Sequence, residues 1–256
     1  MFYLKIGKFN EINNEGDGIM KKVLLVSLMT MAAVSSTLAG AKHNVYVGLG
    51  AANVIGNHNA VITYATNNGG TSRILSNQFA NSTGGIDINF GYMAALNNFT
   101  LGLEVDYLFG NLNKNNYIVV TGNNFSDRQK VESTSGAWGF GIRLGYSCID
   151  RIHPFVRLGI ESRRFKLTSI TDNPAFSSFT GISSSDRKIA FAPGAGMDFN
   201  LNKNLALGVE YRYAFYGSIT KTGPAQNVGG GLTRTATFKI TPRVSTALIS
   251  LKYIWG

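Results

Sequence analysis

The sequence predicts an all-β protein, a membrane-spanning antiparallel up-and-down β-barrel of eight strands. Three observations predict it. Eight stretches alternate apolar and polar residues with period two, the face opposite the apolar one carries Gly and charge, and nothing after residue 41 approaches the run of about 18 apolar residues that a transmembrane helix needs. A soluble barrel hides its apolar face, so a chain whose inward set is Asp, Glu, Arg and Gly has to turn its apolar face toward lipid. In a bilayer every backbone donor and acceptor must be paired within the protein, and for strands that means a closed barrel.

The strands are expected at 44–53, 84–93, 98–109, 136–146, 154–163, 188–199, 204–215 and 243–255, each near the length a tilted strand needs to cross the hydrocarbon. The third is the clearest. Phe99, Leu101, Leu103, Val105, Tyr107 and Phe109 alternate with Thr100, Gly102, Glu104, Asp106 and Leu108. The seventh repeats it, with Leu205, Leu207, Val209, Tyr211, Tyr213 and Phe215 on one face and Gly208, Glu210 and Arg212 on the other. In the fourth, Trp138, Phe140, Ile142, Leu144 and Tyr146 face out, with Gly139, Gly141, Arg143 and Gly145 in. The first strand is the least polar.

Connection lengths alternate as well. Links near 94–97, 147–153 and 200–203 are short, whereas those near 54–83, 110–135, 164–187 and 216–242 are long. Short periplasmic turns and long extracellular loops are the pattern of outer-membrane barrels. A secreted N-terminus starts in the periplasm, so the first link should face outward, and it is a long one.

Residues 1–41 are expected to be an N-terminal extension and a cleaved signal peptide, starting at Met20. Met20-Lys21-Lys22 precedes an apolar run from Val23 to Val34 that is too short to span a bilayer, and Ala39-Gly40-Ala41 supplies the small-residue cleavage site. Residues 42–256 would then form the barrel domain. Ala41 stands where a lipoprotein would carry Cys, so no lipid anchor is expected. The single Cys148 has no intrachain partner, so the exported fold has to hold together without disulfides.

The strand ends Phe90-Gly91-Tyr92 and Leu144-Gly145-Tyr146, the run Pro154-Phe155-Val156-Arg157-Leu158-Gly159 and the closing Leu248-Ile249-Ser250-Leu251-Lys252-Tyr253-Ile254-Trp255 resemble small eight-stranded outer-membrane barrels. The resemblance is to the opacity-protein and OmpA-like group, which includes surface antigens of Gram-negative bacteria. It spans essentially all of 42–256 through loose patterns rather than fixed residues. It implies that the last strand ends in an aromatic signal read by the barrel insertion machinery, matched here by Tyr253 and Trp255. The chain departs from the group at Gly256, which follows the final aromatic, and at Ser250, where such strands often carry Gly.

Charge divides by position. The net charge is +10, but the barrel body is balanced, and the surplus falls in the long loops, where the only acids are Asp127, Glu132, Asp172 and Asp186. By alternation Asp87, Glu104, Asp106, Arg143, Arg157, Glu161, Asp198, Glu210, Arg212 and Lys252 point inward. Eight strands enclose a space just wide enough for side chains to fill, so these charges are read as a salt-bridge plug. A narrow ion-conducting pore is the competing reading. Arg163, Arg164, Lys166, Arg187, Lys188, Lys221, Arg234 and Lys239, with Arg243, are assigned to extracellular loops, where they could meet lipopolysaccharide phosphates or acidic host glycans.

Three other classes are weighed. A lipid A-modifying barrel enzyme needs an extracellular His to activate a hydroxyl or water. His43 and His153 are on the wrong side, and His58 lies in a loop with no acid between residues 54 and 83, so no catalytic residues are assigned. Metal binding lacks a ligand cluster, and no cofactor is expected. A soluble lipocalin-like carrier would have to bury the aromatic face of the third strand and expose Glu104 and Asp106. The expected partners are outer-membrane lipid and lipopolysaccharide, the insertion machinery, and host surface glycans or proteins, with no nucleic acid.

Overall fold

A computed structural model describes residues 41–66, 73–110, 112, 118–122, 125–133, 136–148, 151–172, 182–223, 226–227 and 233–256. Residues 1–40, all of the expected leader but Ala41, lie outside the described residues, as do the tips of all four long links. In chain order the strands are β1 (Lys42–Thr66), β2 (Arg73–Leu96), β3 (Phe99–Phe109), β4 (Ile118–Gly122), β5 (Phe125–Ser133), β6 (Ala137–Tyr146) and β7 (Ile152–Asp172). They continue as β8 (Ile182–Phe191), β9 (Gly194–Asn200), β10 (Leu205–Tyr216), β11 (Ile219–Thr222), β12 (Gln226–Asn227) and β13 (Thr233–Trp255). The described residues contain no helix.

Eight staves close the wall: β1, β2, β3, β6, β7, the β8–β9 pair, β10 and β13. All pairings are antiparallel, and the ring closes where Val45 faces Trp255 across β1–β13 and Leu205 faces Tyr253 across β10–β13. The β8–β9 stave is one strand interrupted at Pro193. Its carbonyl accepts from Tyr213 N at 2.9 Å, but proline has no N–H to return the bond. The register nevertheless continues, with Arg212 opposite Gly194 and Phe215 opposite Phe191.

The three short connections gather at one end with Lys42 and Trp255. Asn97 turns β2 into β3 with φ of 54°, a left-handed conformation that Asn tolerates through its short polar side chain. In the β9–β10 turn, Asn202 Oδ1 accepts from the backbone N–H of Asn204 and of Leu205, each at 2.8 Å. Asn204 Nδ2 in turn donates to Ile254 O at 3.0 Å, tying the turn to the closing strand.

Outward side chains between the two ends form an apolar belt. Leu49, Ile86, Leu158, Ile189 and Ile249 are each more than half exposed, a band far too large for a soluble surface. Aromatic pairs edge the belt. Tyr253 with Trp255 (4.6 Å between centroids) and Phe99 with Tyr146 (5.1 Å) lie toward the short turns. Tyr107 with Trp138 (4.4 Å) and Tyr213 with Phe215 (4.6 Å) lie toward the far rim, as interfacial girdles require. Tyr92 departs from this pattern. It is buried, stacks on His43, and its hydroxyl lies 2.5 Å from His43 Nδ1.

The long links differ from the expected loops, because much of each is strand. β1 alone has 25 residues. At about 3.3 Å per residue it is roughly 80 Å long, well over twice the ~30 Å hydrocarbon thickness. β2, β7 and β13 are also long, whereas β3 and β6 stop near the belt, so the wall is uneven in height. Above the belt the amphipathic pattern inverts. Phe165, Leu167, Phe238 and Ile240 point inward and are buried, while Arg164, Lys166, Lys239 and Thr241 alternate outward. Where the wall meets water instead of lipid, burial favours apolar side chains inside, as in a soluble barrel. His58, expected in an extracellular loop, is likewise a β1 residue with its ring buried inside.

Candidate functional site: charged lumen and basic rim

All ten residues expected to face the lumen are buried. They stack in layers because each strand delivers its inward residues at successive heights. Nearest the short turns, Arg143 Nη2 donates to Asp198 Oδ2 at 2.9 Å, and Lys252 Nζ donates to Asp198 Oδ1 at 2.7 Å. Arg143 Nη1 also reaches Tyr46 OH at 3.0 Å and Glu104 Oε2 at 3.1 Å, while Tyr46 OH donates to Glu104 Oε2 at 2.6 Å. The Arg143 guanidinium covers the Phe155 ring, 3.5 Å from its centroid. A cavity of about 200 Å³ lies below this layer, lined by Arg143, Asp198, Lys252, Phe155 and His153.

The middle layer joins three strands, β3, β7 and β10. Arg212 donates to Asp106 Oδ2 through Nη1 at 2.7 Å, to Glu210 Oε1 through Nε at 2.6 Å and to Glu104 Oε1 through Nη2 at 3.2 Å. Arg157 Nη2 takes the other Asp106 oxygen at 2.7 Å, and its Nε lies 3.4 Å from Glu104 Oε1. Asp87 accepts from Asn89 Nδ2 at 2.8 Å. Glycine makes room for these groups, since a Cβ on Gly141 would come within 2.5 Å of Arg157 Nε. Paired so closely, the ions offset one another's desolvation, and removing one would strand the others.

A third layer was legible in the sequence only at Glu161. Arg163, assigned above to an extracellular loop, is fully buried, and its Nε donates to Glu161 Oε1 at 3.1 Å. Tyr216 OH donates to the same Glu161 oxygen. The correction follows from strand phase: β7 continues past Glu161, so Arg163 points inward two residues later. His58 and Phe165 meet edge-on above it at 6.3 Å. Apolar side chains including Phe165, Leu167, Tyr216, Phe238 and Ile240 then cluster over the ions. Tyr46 joins the network from a position where Tyr reads as belt, and Tyr216 from the first residue of an expected loop. Only the phase of the neighbouring residues, such as Val45 and Val47 outward around Tyr46, marks them as inward.

The other basic residues spread over the rim. Arg187 and Lys239 are exposed, Arg164 and Lys166 are half-buried on the outward face of β7, and Lys188 shares the inward phase of Ala190. Lys221 Nζ pairs with Asp186 Oδ2 at 3.3 Å. Arg234 sits in β13 opposite Thr66. Among the described residues no group of three or more His, Cys, Asp or Glu could hold a metal ion.

Burial lowers the His58 imidazole from its ordinary 6.5 to about 4, opposed by a hydrogen bond with Asn81 and reinforced by the Arg163 charge. The ring is therefore neutral when folded, whereas an unfolded His takes a proton below about 6.5. Its contribution to stability is complete above that pH and is lost as pH falls toward 4. Hydrogen-exchange protection factors in the β1–β2 hairpin, corrected for the intrinsic exchange rate at each pH, should fall between pH 7 and pH 4.5, and His58→Asn should remove part of that fall. An unchanged pH response in His58→Asn would disprove the assignment.

A closed eight-stave wall, a lipid-facing belt edged by aromatics and a lumen filled by ion pairs define a small outer-membrane-type β-barrel. The chain belongs to the outer membrane protein beta-barrel domain family, whose sequence model matches residues 23–241. No curated protein matches it. Similar solved structures include the attachment invasion locus protein Ail of Yersinia pestis, at 13% identity and TM-score 0.40, covering 84% of this chain and 99% of that one. OprG of Pseudomonas aeruginosa matches at 11% identity and TM-score 0.48, covering 84% and 97%. Neisserial surface protein A matches at 11% identity and TM-score 0.30, covering 75% and 95%. The family places the protein in the outer membrane of a Gram-negative bacterium.

Proposed function

We propose that the protein is a surface anchor: the plugged barrel holds it in the outer membrane, and its tall hairpins stand outside the cell and make adhesive contacts with anionic host surfaces. The observation that carries this reading is the one-sided height of the wall. β1, β2, β7 and β13 run far past the belt at one end, while the other end has only short turns. A chain entering from the periplasm would leave those turns there and send the hairpins outward. No catalytic step belongs to this reading. In support, His43 contacts Tyr92, and His153 lies 2.8 Å from Ser147 Oγ and 2.7 Å from Asn200 Nδ2, so both rings are engaged structurally. The packed lumen favours an anchor over an ion path.

Cells with and without the protein should differ in attachment to immobilised sulfated glycan, and the difference should shrink as salt screens exposed charge. Protease added to intact cells should cut near Lys221 or Lys239 and spare Lys203 in the β9–β10 turn. Cleavage confined to Lys203 would invert the orientation, and equal attachment by both cell types would remove the adhesive role.

A further inference from the structure

On the outer wall, Arg164 of β7 and Arg187 of β8 stand directly opposite each other in the strand register. Both share the outward phase of the belt residues on their strands, Leu158 and Ile160 below Arg164, Ile189 and Phe191 below Arg187. Like charges placed directly across an antiparallel pair repel and destabilise it. Nearby carboxylates do not relieve this pair. Asp186 is taken by Lys221, Glu161 by Arg163, and Glu132 stands opposite Lys166 in the register. Among the described residues neither Arg164 nor Arg187 has an ion-pair partner.

Height decides what could neutralise them. Ile189 is 68% exposed and lies two residues below Arg187. At about 3.3 Å per residue, the guanidinium groups stem from backbone roughly 7 Å above the last belt side chains, the depth of lipid headgroups. Two guanidinium groups present paired N–H donors that match the oxygens of a phosphate, and they remain charged at any physiological pH.

We propose that Arg164 and Arg187 clamp a phosphate of the outer-leaflet glycolipid, one of the lipid A phosphates of lipopolysaccharide. Lys166 adds charge one turn of the pleat higher. The site makes the surrounding lipid a specific ligand of the β7–β8 wall rather than a uniform solvent. It rests on the orientation proposed above but not on adhesion.

The test uses the full barrel folded in detergent, with purified lipopolysaccharide carrying both lipid A phosphates, the same material dephosphorylated, and a heparin-derived oligosaccharide as probes. Arg164→Gln with Arg187→Gln should weaken binding of the phosphorylated form about tenfold or more, as expected for losing charge-assisted hydrogen bonds. Wild type should bind the dephosphorylated form as weakly as the double variant binds the phosphorylated one. Lys203→Gln, exposed in the β9–β10 turn at the opposite end of the barrel, should leave binding unchanged, and all variants should keep the heat-dependent shift in electrophoretic mobility of a folded barrel. Equal binding of phosphorylated lipopolysaccharide by wild type and the double variant overturns the proposal, as does equal binding of both lipopolysaccharides by wild type. Loss of oligosaccharide binding with lipopolysaccharide binding intact would also overturn it, assigning the pair to host glycan and leaving the adhesive reading standing. Conversely, loss of lipopolysaccharide binding in a variant whose cells still attach to glycan supports the clamp and separates it from adhesion.

Discussion

Arg212→Ala is expected to cost the folded barrel about 3–5 kcal/mol, the range for breaking a buried ion pair by removing one partner. The guanidinium lies within 3.2 Å of Glu104, Asp106 and Glu210, so its loss leaves three carboxylates sharing only Arg157 and Arg143. Most of the cost is the penalty of those stranded charges, not the net worth of the network. Replacing Arg212 and Glu210 together by Leu should therefore recover part of the loss. Lys221→Ala supplies the contrast: its pair with Asp186 is about one-third exposed, and such pairs contribute at most about 1 kcal/mol. Denaturant midpoints in detergent measure all three. An Arg212→Ala barrel no less stable than Lys221→Ala would refute the plug. No large conductance should open in planar bilayers, since Phe165, Tyr216, Phe238 and Ile240 still close the lumen above the ions.

Replacing Tyr253 and Trp255 by Ala is expected to separate assembly in cells from folding in detergent. Both side chains are exposed, 42% and 47%, at the end of the closing strand, and they pack edge-on against each other. The backbone at Tyr253 pairs with both Val47 and Leu205, so the strand itself holds the two seams of the barrel. That pairing does not depend on the aromatic rings, and the variant should still refold in detergent to a heat-modifiable form. If the insertion machinery reads the rings, the folded form in the outer membrane should fall to a minority of the protein while refolding in detergent survives. Equal losses in both settings would make the aromatics structural only, and normal assembly in cells would remove the signal.

Much of the barrel was legible because lipid imposes a simple rule on sequence. Where the wall faces hydrocarbon, outward residues have to be apolar, and the inward set stands out by contrast, as in β3 and β10. The same phase located Glu104, Asp106, Arg143, Arg157 and Arg212 in the lumen. It did not reveal that Arg212 spans Glu104, Asp106 and Glu210 while Asp198 is shared by Arg143 and Lys252. Which ions touch depends on strand register and on how far each side chain reaches across the lumen, and residues more than a hundred positions apart meet there. Tyr46 was hidden for a related reason, because an aromatic on an apolar strand has the same composition whichever way it points.

Above the belt the rule reverses, and with it the cue. Thr237 to Thr241 still alternates, but water outside and apolar residues inside produce a weaker pattern that reads as loop, and Arg163 was assigned to a loop instead of beneath Phe165. The sequence by itself determined the number of membrane-crossing staves, the direction their apolar faces turn and the placement of charge inside, since each follows from period two and a change of solvent. Only the tertiary structure decided the height of the wall, the partners of each ion and the pairing of Arg164 with Arg187, because these depend on which strands lie side by side and in what register, a long-range relation that local alternation does not encode.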